Sequence, residues 1–125
     1  MGKPCVAFEM EDANKALEHM DRELVHNYGS KCNGLCLHTW DEGERILYRC
    51  KACGGFILGQ FSEFHGMDDN DKYYDDFFPV SGPEEAEEIN KQYDGYQIEE
   101  SFPKRWMIRD DLKNAHWREK PLRVL

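Results

Sequence analysis

The residues best equipped for chemistry in this chain are its cysteines. Cys32-x3-Cys36 and Cys50-x2-Cys53 place four of the five cysteines in one stretch, with residues 37–49 between the pairs. Two thiol pairs at tight-turn spacing are what a structural zinc ribbon needs, because each turn presents two sulfurs and a hairpin can bring the turns together around a tetrahedral ion. The stronger half is Cys50-Lys51-Ala52-Cys53-Gly54-Gly55, whose glycines let backbone N–H groups approach sulfur. In the first half His38 rivals Cys32 as the fourth ligand, since residues two apart on a strand point the same way. The expected site is therefore Cys32, Cys36, Cys50 and Cys53, with His38 as the alternative to Cys32. Four ligands close the shell, so the Zn2+ would be structural rather than catalytic. Cys5 stands apart and reads as a buried or partly exposed thiol. An odd cysteine count argues against a secreted disulfide framework.

Cys36-Leu37-His38-Thr39-Trp40, followed by Tyr48-Arg49-Cys50-Lys51-Ala52-Cys53-Gly54, resembles a zinc-ribbon module of small bacterial and phage proteins. Its pattern is Cys-x-His-x-Trp, a short spacer, then Cys-x-x-Cys-Gly. The resemblance covers about residues 32–58 and departs from the module in having Cys32 as well. It implies a zinc ribbon with Cys36, Cys50 and Cys53 among the ligands.

The formal charge of −9 is unevenly placed. Residues 63–100 carry thirteen acidic and two basic residues, while residues 101–125 carry seven basic and three acidic. Aromatic residues interleave the acidic block, as in Tyr73-Tyr74-Asp75-Asp76-Phe77-Phe78, so it reads as folded rather than as a disordered tail. An acidic, aromatic surface suits a basic partner: complementary charge speeds encounter and aromatic anchors hold the complex. The residues assigned to such a surface are Asp68, Asp69, Asp71, Asp75 and Asp76 for steering, with Tyr73, Tyr74 and Phe78 as anchors. Asp68-Asp69-Asn70-Asp71 fails as a calcium loop, because Lys72 and Tyr73 fall where a carboxylate and a glycine are wanted. His19, Glu23 and His26 read as the solvated face of a helix.

Periodicity supplies the elements. Ala13, Leu17, Met20, Leu24 and Tyr28 recur at helical spacing and predict a helix over 12–28, with Gly29 as its C-terminal cap. Residues 45–49 and 56–58 read as short strands inside a ribbon spanning 31–61. Residues 62–82 read as a loop with aromatic anchors. Ser81 and Glu84 form a capping-box pattern for a helix to about Tyr93. Strands are expected near 95–100 and 104–109, and Leu112, Ala115 and His116 permit a helical turn in the basic tail, 110–125. The sum is one α+β domain over 1–125: an N-terminal helix, a zinc-ribbon hairpin, an acidic aromatic segment over 62–109 with one central helix, and a few further antiparallel strands.

These features set three functional expectations. The first is a small acidic zinc-ribbon protein that occludes a basic nuclease or nucleic-acid-binding protein. It would serve as an immunity protein against a nuclease-type toxin, or as a phage inhibitor of a nuclease defence such as CRISPR. The second is a nucleic-acid-binding ribbon using Arg45, Arg49 and Lys51 with the basic residues Lys104, Arg105, Arg109, Arg118 and Arg123 around Trp106. The third is a metal-dependent hydrolase, for which no nucleophile or phosphate-binding motif is visible. No apolar run is long enough to span a membrane and no signal-peptide layout opens the chain, so the expectation is a cytoplasmic protein without a membrane partner.

Overall fold

A computed structural model describes residues 2–30, 42–64, 72–93, 98, 102–110 and 114–118. Its frame is one antiparallel sheet of six strands in sequential order. These are β1 (Arg22–Ser30), β2 (Glu42–Cys50), β3 (Phe56–Phe64), β4 (Lys72–Val80), β5 (Trp106–Asp110) and β6 (Asn114–Arg118). Two short helices, α1 (Ala13–His19) and α2 (Pro83–Gln92), and a 3₁₀ turn at Val6–Glu9 complete the described elements.

Both faces of the sheet are covered. On the first face the 3₁₀ turn and α1 bury Ala7, Phe8, Ala13, Ala16 and Met20 against Ile57, Phe77, Met107 and Ala115. On the second, Ala86 and Ile89 of α2, with Ile98 and Phe102, pack on Leu47, Leu58, Phe78, Val80 and Trp106. The central strands β3 and β4 therefore bury both of their sides, which lets β4 carry a polar–apolar doublet pattern rather than simple alternation.

The expected α+β layout, an N-terminal helix over 12–28 followed by a zinc-ribbon hairpin, is corrected to one six-stranded antiparallel sheet with two short helices among the described residues. Asp12 caps α1 by accepting the N–H groups of Asn14 (2.9 Å) and Lys15 (3.3 Å), but the helix ends at His19. Residues 22–30 instead pair with β2 from Arg22↔Cys50 to Ser30↔Glu44, with register shifts after Leu24 and after Asn27. Ladder hydrogen bonds along the free edge of β2 outweigh the helical spacing, and Leu24, assigned to the buried stripe, is 63% exposed. Gly29 does adopt positive φ (83°), but it does so beside a bulge, where its N–H bonds Asn27 Oδ1 at 2.7 Å.

Three further expectations change. The loop over 62–82 contains β4, paired along its length with β3. Ile98 is helical and its carbonyl accepts Phe102 N–H at 2.9 Å, so it is not part of a strand over 95–100. Ala115 and His116 lie in β6, not in a helical turn. The strands near 45–49, 56–58 and 104–109 are present within β2, β3 and β5, and the central helix is present as α2. Its cap is shifted by one residue: Gly82 is the N-cap, and Glu85, not Glu84, reaches back to Ser81 N–H at 2.6 Å.

Candidate metal centre

At the Cys50 end of β2 the chain turns through Lys51–Gly55 into β3. Cys50 N–H bonds Gly55 O and Gly54 N–H bonds Cys50 O, each at 2.7 Å, and Gly54 takes a φ of 77°. The N-terminal segment crosses this turn. Phe56 N–H bonds Lys3 O (2.9 Å) and Cys5 N–H bonds Phe56 O (3.2 Å). A Cβ on Gly55 would overlap the Cys5 backbone, so glycine is required there for close passage rather than for its φ. The C-terminal end of α1 docks beside the same turn, with Lys51 N–H on Asp21 O at 2.7 Å.

These three segments bring Cys5, His19, Cys50 and Cys53 together, and their candidate ligand atoms all lie within 4.8 Å of one another. The four are close enough to hold a metal ion. The Sγ atoms of Cys5 and Cys53 are 3.6 Å apart. Two thiolates on a tetrahedral Zn2+ at ~2.3 Å per bond stand ~3.8 Å apart, so this edge is already at metal-site dimensions. Nε2 of His19 is buried without a hydrogen-bond partner. Such an orphaned nitrogen costs about 1–3 kcal/mol unless something coordinates it. Fit to a cation is thus supported by an independent feature of the ligand set.

Backbone amides serve the sulfurs. Ala7 N–H points at Cys5 Sγ (3.5 Å), and the Cys50 thiol contacts His19 O at 3.7 Å. Burial pushes the Cys5 thiol far above the ordinary cysteine range. Burial also pushes Cys53 upward, but the His19 imidazole and the N–H groups of Val6 and Gly55 outweigh it and hold this thiol at about 6.

Set against the sequence reading, Cys50 and Cys53 belong to the cluster, whereas Cys32, Cys36 and His38 lie outside the described residues. No hairpin separates two knuckles within 42–50, because β2 runs unbroken from Glu42 to Cys50. Cys5 and His19 join the cluster unannounced. His19 is not on a solvated helix face with Glu23 and His26: both of those lie in β1, where Glu23 pairs with Arg49 (2.7 Å) and His26 packs edge-on to Tyr28. The odd cysteine count was the one available hint at Cys5; nothing in the spacing marks His19.

The acidic surface is corrected in part. Asp75 and Asp76 are buried, as is Phe78, so none of the three can meet a partner in this fold. The Asp75 carboxylate receives the Arg109 guanidinium, with Nε at 2.9 Å, and Asp76 Oδ1 accepts Trp106 Nε1–H at 3.2 Å. Tyr73 is exposed and Tyr74 half-buried; Asp68, Asp69 and Asp71 lie outside the described residues. Several of the basic residues are similarly committed, while Lys51 and Arg118 are exposed and Arg123 lies outside the described residues. Arg45 is buried and donates to Gln60 and to Tyr93 O, and Lys104 pairs with Glu85. Arg105 lies 3.8 Å above the Trp117 ring and donates to Met10 O.

Sheet and cluster together define a small antiparallel β protein in which four residues close enough to hold a metal ion lie where the N-terminal layer meets the sheet. Comparison with known proteins returned no matching family model, no matching curated relative and no matching solved structure. Among the described residues no helix is long and apolar enough to cross a membrane.

Proposed function

We propose that the chain is a small binding protein whose fold is stapled by one structural Zn2+ on Cys5, His19, Cys50 and Cys53, and that it acts by occluding a basic, nucleic-acid-handling partner. The observation that carries the zinc half is the convergence of three sulfurs and one imidazole nitrogen within 4.8 Å. Three thiolates and one imidazole form a complete tetrahedral set for a soft, redox-inert ion, which favours a structural over a catalytic role. Purified protein should contain one zinc per chain, and Cys50→Ser should carry nearly none. A zinc-free wild type, purified under reducing conditions in zinc-supplied medium, would contradict this half.

The partner half rests on charge. The net of −9 stands alongside arginines that are largely occupied within the fold. With Asp75, Asp76 and Phe78 excluded, the exposed carboxylates described within the acidic block are those on the outer side of α2, Glu84, Glu87 and Glu88, with Glu87 also paired to Lys91. Exposed acidic groups accelerate encounter with a basic cleft and lose that effect at high salt. The settings in view remain immunity against a nuclease-type toxin and phage inhibition of a nuclease defence. The test is titration of the protein into a panel of toxin and defence nucleases. Inhibition that is relieved by Glu84→Lys/Glu87→Lys/Glu88→Lys supports the reading, and inhibition indifferent to the reversal contradicts it. Salt-dependent retention of the wild type on a nucleic-acid column would instead favour direct nucleic-acid binding.

A further inference from the structure

We propose that Cys53 is an oxidant-accessible modification site, and that its oxidation closes a disulfide to Cys5 and expels the metal. The inference rests on the zinc reading above and adds its regulation. Cys5 is 1% exposed and Cys50 is fully buried, whereas Cys53 sits partly exposed on the β2–β3 turn. A small oxidant arriving from solvent therefore meets Cys53 first among the three. Its Sγ is 3.6 Å from that of Cys5, so a bond of ~2.05 Å requires the two sulfurs to close by only ~1.5 Å. Cys50 is turned toward His19 O, at 3.7 Å.

The oxidant class is a peroxide. The Cys53 thiolate attacks hydrogen peroxide, the O–O bond breaks, and a sulfenic acid and hydroxide form. Cys5, a thiolate where it ligates the ion, then attacks the sulfenic sulfur. The S–S bond forms, the S–O bond breaks and a second hydroxide leaves. Two electrons pass from the sulfurs to the peroxide, and solvent supplies two protons that convert both hydroxides to water. Only Cys50 and His19 remain as ligands, too few to retain the ion against water. The new bond joins two of the three segments that the metal would join, the N-terminal segment and the β2–β3 turn. The oxidised, metal-free chain thus keeps its first-face layer attached, and a thiol reductant reverses the step.

The experiment treats the full-length zinc-loaded protein with one equivalent of hydrogen peroxide. Released zinc is followed with a chromogenic chelator, and disulfides are mapped by proteolysis and mass spectrometry. Expected is about one zinc released per Cys5–Cys53 bond formed, with zinc taken up again after dithiothreitol. Zinc release with Cys50–Cys53 as the main disulfide overturns the proposal and leaves the metal centre standing. So does zinc retained through the treatment. Protein that holds no zinc before oxidant is added overturns the metal centre itself, and the switch with it.

Discussion

The two faces of the sheet are closed by different means. On the second face, Phe78, Phe102 and Trp106 pack with ring centroids 4.8–6.0 Å apart, and α2 adds Ala86 and Ile89 above them. On the first, the covering segment contributes mainly small or flexible side chains, Ala7, Ala13, Ala16 and Met20, with Phe8 as its one buried ring. The second face carries its large apolar groups in a continuous cluster, and burial alone can hold it. The first is covered by more residues but mostly small or flexible ones, and the cysteine–histidine cluster lies where that cover meets the sheet. The difference lies in side-chain size: large rings close the second face, and the face closed by small side chains is the one with most to gain from a metal staple.

The sharpest way to break this comparison is to remove the metal. Zinc sites in small domains contribute binding free energy on the order of 10 kcal/mol that is coupled to folding. Chelation or Cys50→Ser should therefore give the largest destabilisation of any single change. Hydrogen exchange should show protection lost first in residues 3–20 and 50–56, with β3, β4 and α2 following only on global unfolding. Uniform loss over both faces would mean that the staple is not local.

Trp106→Ala probes the other closure. Deleting this fully buried ring should cost about 3–5 kcal/mol in urea unfolding. Zinc content should stay at one per chain under native conditions, since Trp106 belongs to the opposite face. Loss of zinc in this variant would show that the two layers are coupled.

A smaller effect is expected where a polar group enters the first face. Arg109→Leu leaves the Asp75 carboxylate buried without its guanidinium partner, at a cost of about 3 kcal/mol, reduced by the partial exposure of Arg109. Asp75→Asn in the same chain should recover part of the loss. An additive double variant would contradict the pairing.

The smallest change concerns α2. Partial burial pushes the Glu85 carboxyl up, but the Ser81 N–H and Lys104 outweigh it and hold its pKa below the ordinary value. A depressed carboxyl stabilises the fold at pH above the ordinary carboxylate value, about 4.5, and loses that effect as pH falls through its lower folded value. Glu85→Ala should cost roughly 0.5–1 kcal/mol at pH 7, and the difference from wild type should shrink as pH falls below the ordinary carboxylate value. A difference that grows on acidification would reverse the assigned sign.

Legibility in the sequence followed the locality of the signal. The Cys50–Gly55 turn, strands β2, β3 and β5, and helix α2 are each set by residues within one short window, and each was readable. β1 was not, because helical spacing through Tyr28 coincides with a segment whose conformation is decided by the open edge of β2. β4 escaped because a strand buried on both sides need not alternate: Asp75 pairs across one face while Asp76 meets Trp106 on the other. The metal cluster was half legible. Cys50 and Cys53 announce themselves, but Cys5 and His19 reach them through the fold of the N-terminal layer, and no sequence interval records that. The acidic block was misplaced for a related reason, since charge in a sequence does not say which carboxylates have buried partners.

X-ray absorption at the zinc edge tests the central claim most directly, because it counts ligands by type on the intact protein. The account predicts three sulfurs at ~2.3 Å and one nitrogen at ~2.0 Å, with the nitrogen shell lost in His19→Ala and one sulfur lost in Cys5→Ser. A four-sulfur shell, or a spectrum unchanged by both substitutions, would contradict it.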